Sequence, residues 1–185
     1  MSDPETIIKE SQVAYEELLG EFQSVILGTS NPEGTPEASY NPAVMDADRN
    51  IYIYVSDLSA HTANILSRKE ASVLIIEDEG TCAQVFARKR ATFQCEAEEI
   101  ERDSDRWNAI TPLFLDKFGK MFEHLMGMGD FHLIALKPSK GRLVVGFGRA
   151  FDISGEKMDE IEHVRGNSGK GHTQAKGHQP VGANS

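Results

Sequence analysis

Apolar and polar side chains alternate along much of the chain between residues 22 and 153, which is the pattern of half-buried β-strands. Two long stretches instead repeat their apolar residues three and four positions apart, as helices with one packed face do. The predicted strands are 22–29, 35–40, 51–55, 71–76, 85–98, 131–136 and 142–153, and the predicted helices are 4–20, 60–68, 105–125 and 156–163. About six antiparallel strands in a meander, with a helix inserted between them, predict a mainly β, α+β protein whose sheet closes into a barrel flanked by helices.

Turn and cap residues predict where several of these elements begin and end. Ser59 is an N-cap for the short helix, and the segment 31–34 is a turn that joins two strands into a hairpin. Asn41-Pro42 is expected to interrupt the second strand, and Pro112 to kink the long helix. The segment 138–141 is predicted to be the turn between the last two strands.

The segment Val85–Gln94 contains the only concentrated positive charge of the chain. Read as a strand, it places the guanidinium groups of Arg88 and Arg90 on one face, roughly 7 Å apart. The opposite face, which would anchor the barrel, carries Val85, Ala91 and Phe93. Two guanidinium groups at this spacing suit a carboxylate or a phosphate, and the same pattern is also typical of a solvated outer face.

Length and charge limit the possible classes of protein. The 185 residues are 39% hydrophobic and carry a formal net charge of −10, which fits a soluble domain over 1–165 and a Gly-rich, flexible tail over 166–185. Nucleic-acid binding is disfavoured because it needs a broad basic surface. No apolar run is long enough to cross a membrane, and the first residues do not resemble a secretory signal, so we expect a cytoplasmic protein. Cys82 and Cys95 are expected to be thiols in or near the core.

Several short motifs occur in an order that is typical of one known family. They are Ala38-Ser39-Tyr40-Asn41-Pro42, Ser59-Ala60-His61-Thr62-Ala63-Asn64, Ile75-Ile76-Glu77-Asp78-Glu79, Phe86-Ala87-Arg88-Lys89-Arg90, Glu101-Arg102-Asp103-Ser104, Gly129-Asp130-Phe131 and Gly146-Phe147-Gly148-Arg149-Ala150. Together they cover about residues 20–165. In this order they resemble the HugZ/HutZ-type heme-utilisation proteins, which belong to the FMN-binding split-barrel group related to pyridoxamine 5′-phosphate oxidase.

The resemblance implies a homodimer of six-stranded antiparallel split barrels that binds heme at its interface. Such a protein degrades heme with oxygen and an electron donor, which the sequence does not identify, and releases iron. Arg90, and with it Arg88, would bind a heme propionate. Asp130 would hydrogen-bond the axial histidine and His61 would lie near the pocket, so these two are the expected catalytic residues.

The same resemblance implies that a histidine of the C-terminal segment holds the heme iron. Here a Gly-rich insertion follows His163, and the expected axial ligand is His172, in Gly-Lys-Gly-His. His178, in a similar Lys-Gly-His, is the rival candidate. The neighbouring glycines would let the segment bend and approach the ring closely.

Two other functions remain open. An arginine pair does not distinguish a propionate from the phosphate of FMN, so an FMN-dependent oxidoreductase of the pyridoxamine-phosphate oxidase type is one alternative. A heme carrier or storage protein would use the same residues without degrading the ligand.

Overall fold

A computed structural model describes residues 3–164, which form four α-helices and eight β-strands. The helices are α1 (Pro4–Glu21), α2 (Ala60–Arg68), α3 (Asp105–Phe118) and α4 (Lys120–Met126). The strands are β1 (Ser24–Ser30), β2 (Pro36–Met45), β3 (Ile51–Ser56), β4 (Glu70–Ile76), β5 (Arg90–Ile100), β6 (Phe131–Val144), β7 (Ala150–Ser154) and β8 (Glu160–His163). The predicted tail over 166–185, with His172 and His178, lies outside the described residues.

Six strands close into an antiparallel barrel. Their order is β3-β2-β1-β4-β5-β6, and a further pairing of β3 with β6 joins the two ends of this series. β7 and β8 extend the sheet beyond β6. The predicted six-stranded barrel flanked by helices is therefore confirmed.

Alternate strand positions fill the barrel interior. On β5, Ala91, Phe93 and Cys95 are buried, whereas the side chains between them face outwards. Burial raises the pKa of the Cys95 thiol to about 12, so this thiol is not reactive at neutral pH. Cys82 is half-exposed in the loop after β4, and the expectation that it lies in or near the core is wrong.

Helices α3 and α4 pack as a second layer on the outer faces of β2, β3, β5 and β6. Their aromatic side chains surround Tyr54, whose ring centroid lies 5.8 Å from that of Trp107 and 5.0 Å from that of Phe122. The outer face of β1 and β2 is more open, because Ile26 is 40% exposed and Tyr40 is 64% exposed. These two residues are direct cross-strand neighbours, so they form an exposed apolar surface.

The strand predicted to begin at Val85 begins at Arg90 instead. Residues Val85–Ala87 form a 3₁₀ turn, and Val85 is 57% exposed, so the prediction that it anchors the barrel is wrong. The reason is the length of the neighbouring strand. β4 ends at Ile76, and the last backbone contact of this hairpin joins the Glu77 amide to the Lys89 carbonyl, which leaves the preceding residues without a strand to pair with.

Other boundaries also differ from the prediction. β2 runs through Asn41-Pro42 to Met45 without the expected interruption, and the strand predicted over 142–153 is broken between Val144 of β6 and Ala150 of β7. The segment 138–141 continues β6 as one 14-residue strand, because a shift of register opposite Gln94 and Cys95 accommodates the proline. The segment predicted as a helix over 156–163 contains β8, which pairs with β7. The long helix is divided at Gly119, whose φ of +58° ends α3.

Candidate functional site

Asp130 lies in the turn between α4 and β6, beside the turn that follows β3. The Ser56 hydroxyl donates a hydrogen bond to Oδ2 of Asp130 at 3.0 Å, and the Asp57 amide donates to the Asp130 carbonyl oxygen at 2.9 Å. Within residues 3–164, Oδ1 of Asp130 accepts no hydrogen bond. One carboxylate oxygen is therefore fixed, while the other is available to a donor from elsewhere.

His61 lies in the first turn of α2 and is only 8% exposed. Its Nε2 is buried and has no hydrogen-bond partner in the described part of the chain, and the same is true of the Ser39 hydroxyl. Both residues line a cleft of about 460 Å³. Burial lowers the pKa of His61, so the imidazole is neutral at pH 7. Buried polar atoms without partners are rare in native proteins, which makes this cleft a candidate for contact with a ligand or a second chain.

The turn 56–59 connects His61 and Asp130. The hydroxyl of Thr62, the residue after His61, donates to the Ser56 carbonyl oxygen at 2.7 Å, while the Ser56 side chain binds Asp130. The two residues expected to be catalytic thus lie at the same end of the barrel.

His132 follows at the start of β6 and binds two carboxylates. Its Nδ1 lies 2.6 Å from Oε1 of Glu99, and its Nε2 lies 2.7 Å from Oδ1 of Asp57. Burial opposes the charge, but hydrogen bonds to Glu99 and Asp57 outweigh it and raise the pKa of His132. When it is protonated, the imidazolium of His132 donates to both carboxylates and ties the turn 56–59 to β5 and β6.

Arg88 and Arg90 do not share one strand face. Nε of Arg88 donates to the Glu77 carbonyl oxygen at 2.5 Å, and Nη1 of Arg90 donates to the Arg88 carbonyl oxygen at 2.9 Å. Arg88 also lies 4.0 Å from Glu79, whereas no carboxylate of residues 3–164 lies within ion-pairing distance of Arg90. Arg90 is thus the better candidate for binding an anion from outside the chain.

Within one chain, the arginine end and the Asp130 end of the barrel are far apart. Arg90 pairs with Val144, the last residue of β6, while Asp130 precedes Phe131, the first residue of the same strand. A strand of this length separates its ends by up to about 40 Å. The structure therefore places His61 and Asp130 at the same end of the barrel and Arg90 at the opposite end.

Two polar residues near Asp130 were not predicted as part of a site. Ser56 holds the carboxylate, and Arg102 donates hydrogen bonds to carbonyl groups on both sides of the turn that carries Asp130. Arg102 belongs to the motif Glu101-Arg102-Asp103-Ser104, which was the available signal. Ser56 gives no signal in the sequence, since its role depends on the pairing of β3 with β6.

A closed six-stranded antiparallel barrel with flanking helices is the architecture of the FMN-binding split barrels. In agreement, the family model described as pyridoxamine 5′-phosphate oxidase matches residues 12–145. The chain therefore belongs to the pyridoxamine 5′-phosphate oxidase family, as a split barrel of the HutZ type.

Proteins named HutZ and ChuZ are among the relatives that this chain resembles in sequence. The chain is 33% identical over 144 residues to "Heme oxygenase HutZ" of Vibrio cholerae, which covers 78% of this chain and 81% of that protein. Among solved structures it is similar to HutZ of Vibrio cholerae, there called a heme storage protein, with a TM-score of 0.68, 32% identity and coverage of 73% and 94% of the two chains. Its similarity to Campylobacter jejuni ChuZ has a TM-score of 0.80 with 33% identity and covers 96% and 70%.

Over residues 3–164, no helix combines the length and the apolar character that crossing a membrane requires.

Proposed function

We propose that this chain binds heme at the interface of a homodimer and oxidatively degrades it, releasing iron. The observation that carries the proposal is the separation of Arg90 from Asp130 along β6, up to about 40 Å. Because a 14-residue strand is longer than a porphyrin ring, a heme that contacts both an Arg90 and an Asp130 is expected to take them from two copies of the chain. The similarity to a protein named heme oxygenase supports heme as the ligand and its degradation as the activity.

The open face of the barrel supports the homodimer. Tyr40, Ile26 and Leu74 are direct neighbours across β2, β1 and β4 and form an apolar row. The next row contains the small residues Ala38 and Gly28, which allow another chain to approach closely. A two-fold dimer uses the same patch on both copies, and an exposed apolar row suits such a self-complementary contact.

The arginine end would bind the edge of heme that carries the propionates. Arg90 has guanidinium donors that no described carboxylate occupies, and Arg88 orients it through its carbonyl oxygen. Phe86 and Phe147 lie in the two adjacent loops at this end and are 84% and 69% exposed. Apolar rings beside a free guanidinium match a flat macrocycle that carries carboxylates.

The Asp130 end would bind the axial ligand. In this proposal, residues 1–165 form the folded domain, and the segment 166–185 provides the imidazole from His172, or from His178. Oδ1 of Asp130 accepts the N–H of that imidazole, which fixes the ring and raises its basicity. The neutral His61 lies in the adjoining cleft, where its Nε2, which has no partner among residues 3–164, can form one hydrogen bond with the ligand or the partner chain. Bound heme itself provides the redox-active iron and the ring that is oxidised.

Two alternatives have specific support. The family is named for pyridoxamine 5′-phosphate oxidase, and a free Arg90 suits the phosphate of FMN as well as a propionate. HutZ is also called a heme storage protein, which supports binding without degradation.

A hemin titration of the full chain separates these functions. We expect a Soret band that saturates at a fixed ratio of heme to chain, and then bleaching with iron release when a reductant is added in air. A protein that is yellow as isolated and gains no Soret band would establish the flavin alternative. A saturable Soret band that persists with reductant and air would establish a carrier.

A further inference from the structure

Arg102 binds the turn that carries Asp130, but it has no role in the proposed function. Its Nη1 donates to the Met126 carbonyl oxygen at 2.9 Å, and its Nη2 donates to the carbonyl oxygens of Met128 at 2.9 Å and Phe131 at 3.2 Å. Nη2 also lies 3.3 Å from the Tyr54 hydroxyl oxygen. One guanidinium group therefore binds the last residue of α4, the middle of the following turn and the first residue of β6.

These contacts surround Asp130 on both sides along the chain. The turn has the sequence Gly127-Met128-Gly129-Asp130, and its two glycines give it little conformational restraint of its own. The guanidinium carbon lies 4.8 Å from the centre of the Trp107 ring, and that ring is buried in the cluster beneath α3. Arg102 thus packs against the buried Trp107 of α3 while it binds a turn that contains two glycines.

We propose that Arg102 is a positioning residue for Asp130. Its three carbonyl contacts hold the turn so that Oδ1 of Asp130 faces the axial imidazole, while Ser56 holds the other oxygen. This inference rests on the proposed function, because it assumes that Asp130 acts on the axial ligand.

The chemistry requires arginine in particular. A guanidinium group offers five N–H donors in a planar fork. The ammonium group of lysine is a single compact charge, so it cannot donate at the same time to the separated carbonyl oxygens of Met126, Met128 and Phe131. Arg102→Lys therefore keeps the charge and removes most of the clamp. Arg102→Gln, which is neutral but keeps two donors, is the second variant if the lysine variant does not fold.

Arg68 provides the matched control. Its guanidinium also donates to backbone carbonyls of a turn, those of Asn31 and Pro32, with distances from 2.8 to 3.1 Å. Arg68→Lys removes the same kind of clamp from a turn that the proposal does not involve.

The experiment uses four variants of the full chain: Arg102→Lys, Arg68→Lys, Asp130→Asn, and the double variant that combines Arg102→Lys with Asp130→Asn. Each is compared with the wild type. Without heme, Arg102→Lys is expected to speed amide hydrogen exchange over 127–131 several-fold, with no change in Arg68→Lys. With heme, Arg102→Lys is expected to shift the midpoint potential in the same direction as Asp130→Asn, and the double variant no further than Asp130→Asn alone.

The outcomes distinguish the inference from the function on which it rests. If Asp130→Asn shifts the potential and Arg102→Lys does not, the positioning role is overturned while the proposed function stands. An additive double variant would also overturn it, because it would mean that Arg102 acts independently of Asp130. If Asp130→Asn leaves the potential unchanged, the proposed role of Asp130 fails, and the inference with it.

Discussion

The side chains around Asp130 determine which hydrogen bonds this end of the barrel can make. Ser56 holds one carboxylate oxygen, and the nearby His132 lies between Asp57 and Glu99. A neutral imidazole has one N–H and donates to only one of these carboxylates. The charged imidazolium binds both, so the turn beside Asp130 is held most firmly when His132 is protonated.

This arrangement predicts a pH-dependent stability. The pKa of His132 is raised in the folded state, so its contribution is fully present below the unfolded pKa of about 6.5 and is lost as the pH rises through the folded pKa. His132→Gln should lower the free energy of unfolding by about 1 kcal/mol near pH 6, with a smaller loss at higher pH. Urea unfolding across this range measures the difference, and His124→Gln, a change at an exposed histidine of α4, is the control. A loss for His132→Gln that stays constant with pH would contradict the prediction.

Among the strands, β6 has the largest effect on the site. It pairs with β3, β5 and β7, and its length keeps Arg90 and Asp130 at opposite ends of the barrel. Gly141 lies near the C-terminal end of this strand, opposite Phe93 of β5 and Ile153 of β7. A Cβ atom there would lie 2.9 Å from Cβ of Ile153 and 3.0 Å from Cδ1 of Phe93, so the three strands pack closely at a residue without a side chain.

Gly141→Ala should therefore destabilise the barrel. Overpacking of a filled core typically costs about 1–3 kcal/mol. Neither β5 nor β7, which carry Phe93 and Ile153, can move away from β6 without disturbing its own pairing. Chemical denaturation of the variant should show a lower free energy of unfolding. Gly20→Ala in α1 is the control, since a Cβ atom there meets nothing within 4 Å, and it should be neutral or slightly stabilising. Equal stability of the two variants would contradict the packing described for β6.

The elements show how much could be predicted from the sequence. Alternation of apolar residues correctly predicted that Ala91 and Phe93 face the core, because that signal is local to the strand. The same alternation was wrong for Val85, since the start of β5 is set by where β4 ends, which is a property of the pairing. The sequence predicted Gly141 as part of a turn. In the structure β5 and β7 approach closely on either side of it, and the sequence does not reveal that approach.

Residues of the site were predictable to a similar degree. His61 was expected near a pocket, and the structure places its buried Nε2 in a cleft, with no hydrogen-bond partner among the residues that it describes. The placement of Arg90 and Asp130 at opposite ends of the barrel was not predictable, because Arg90 pairs with the last residue of β6 and Asp130 precedes its first, and the sequence predicted this one strand as two. The ligand assignments of His172 and His178 remain predictions.

At the scale of the whole molecule, the proposed site needs two copies of the chain. Arg90 and Asp130 are separated in each copy, while the apolar row on β1, β2 and β4 provides a surface on which two copies can pair. The proposed dimer would therefore have two equivalent heme sites, each with Arg90 from one copy and Asp130 from the other.

Ile26→Glu is expected to break this dimer. Ile26 is the centre of the apolar row, and a charge buried there without a partner opposes association. Ile8→Glu in α1 is a matched control, because Ile8 is 41% exposed and Ile26 is 40% exposed. Sedimentation should show that Ile26→Glu is monomeric and that the wild type and Ile8→Glu are dimeric. Hemin binding should be weaker in Ile26→Glu than in the other two. A dimeric Ile26→Glu would exclude this face as the interface.

Mixed dimers test whether the site is shared between copies. Arg90→Gln and Asp130→Asn chains carrying different tags are co-expressed and purified over both tags, so that each dimer contains one chain of each kind. If each site takes Arg90 and Asp130 from different copies, one of the two sites is intact, and reductant-driven bleaching of bound heme should recover to about half of the wild-type rate per dimer. Bleaching as slow as in either single-variant homodimer would show that Arg90 and Asp130 do not act together across the interface.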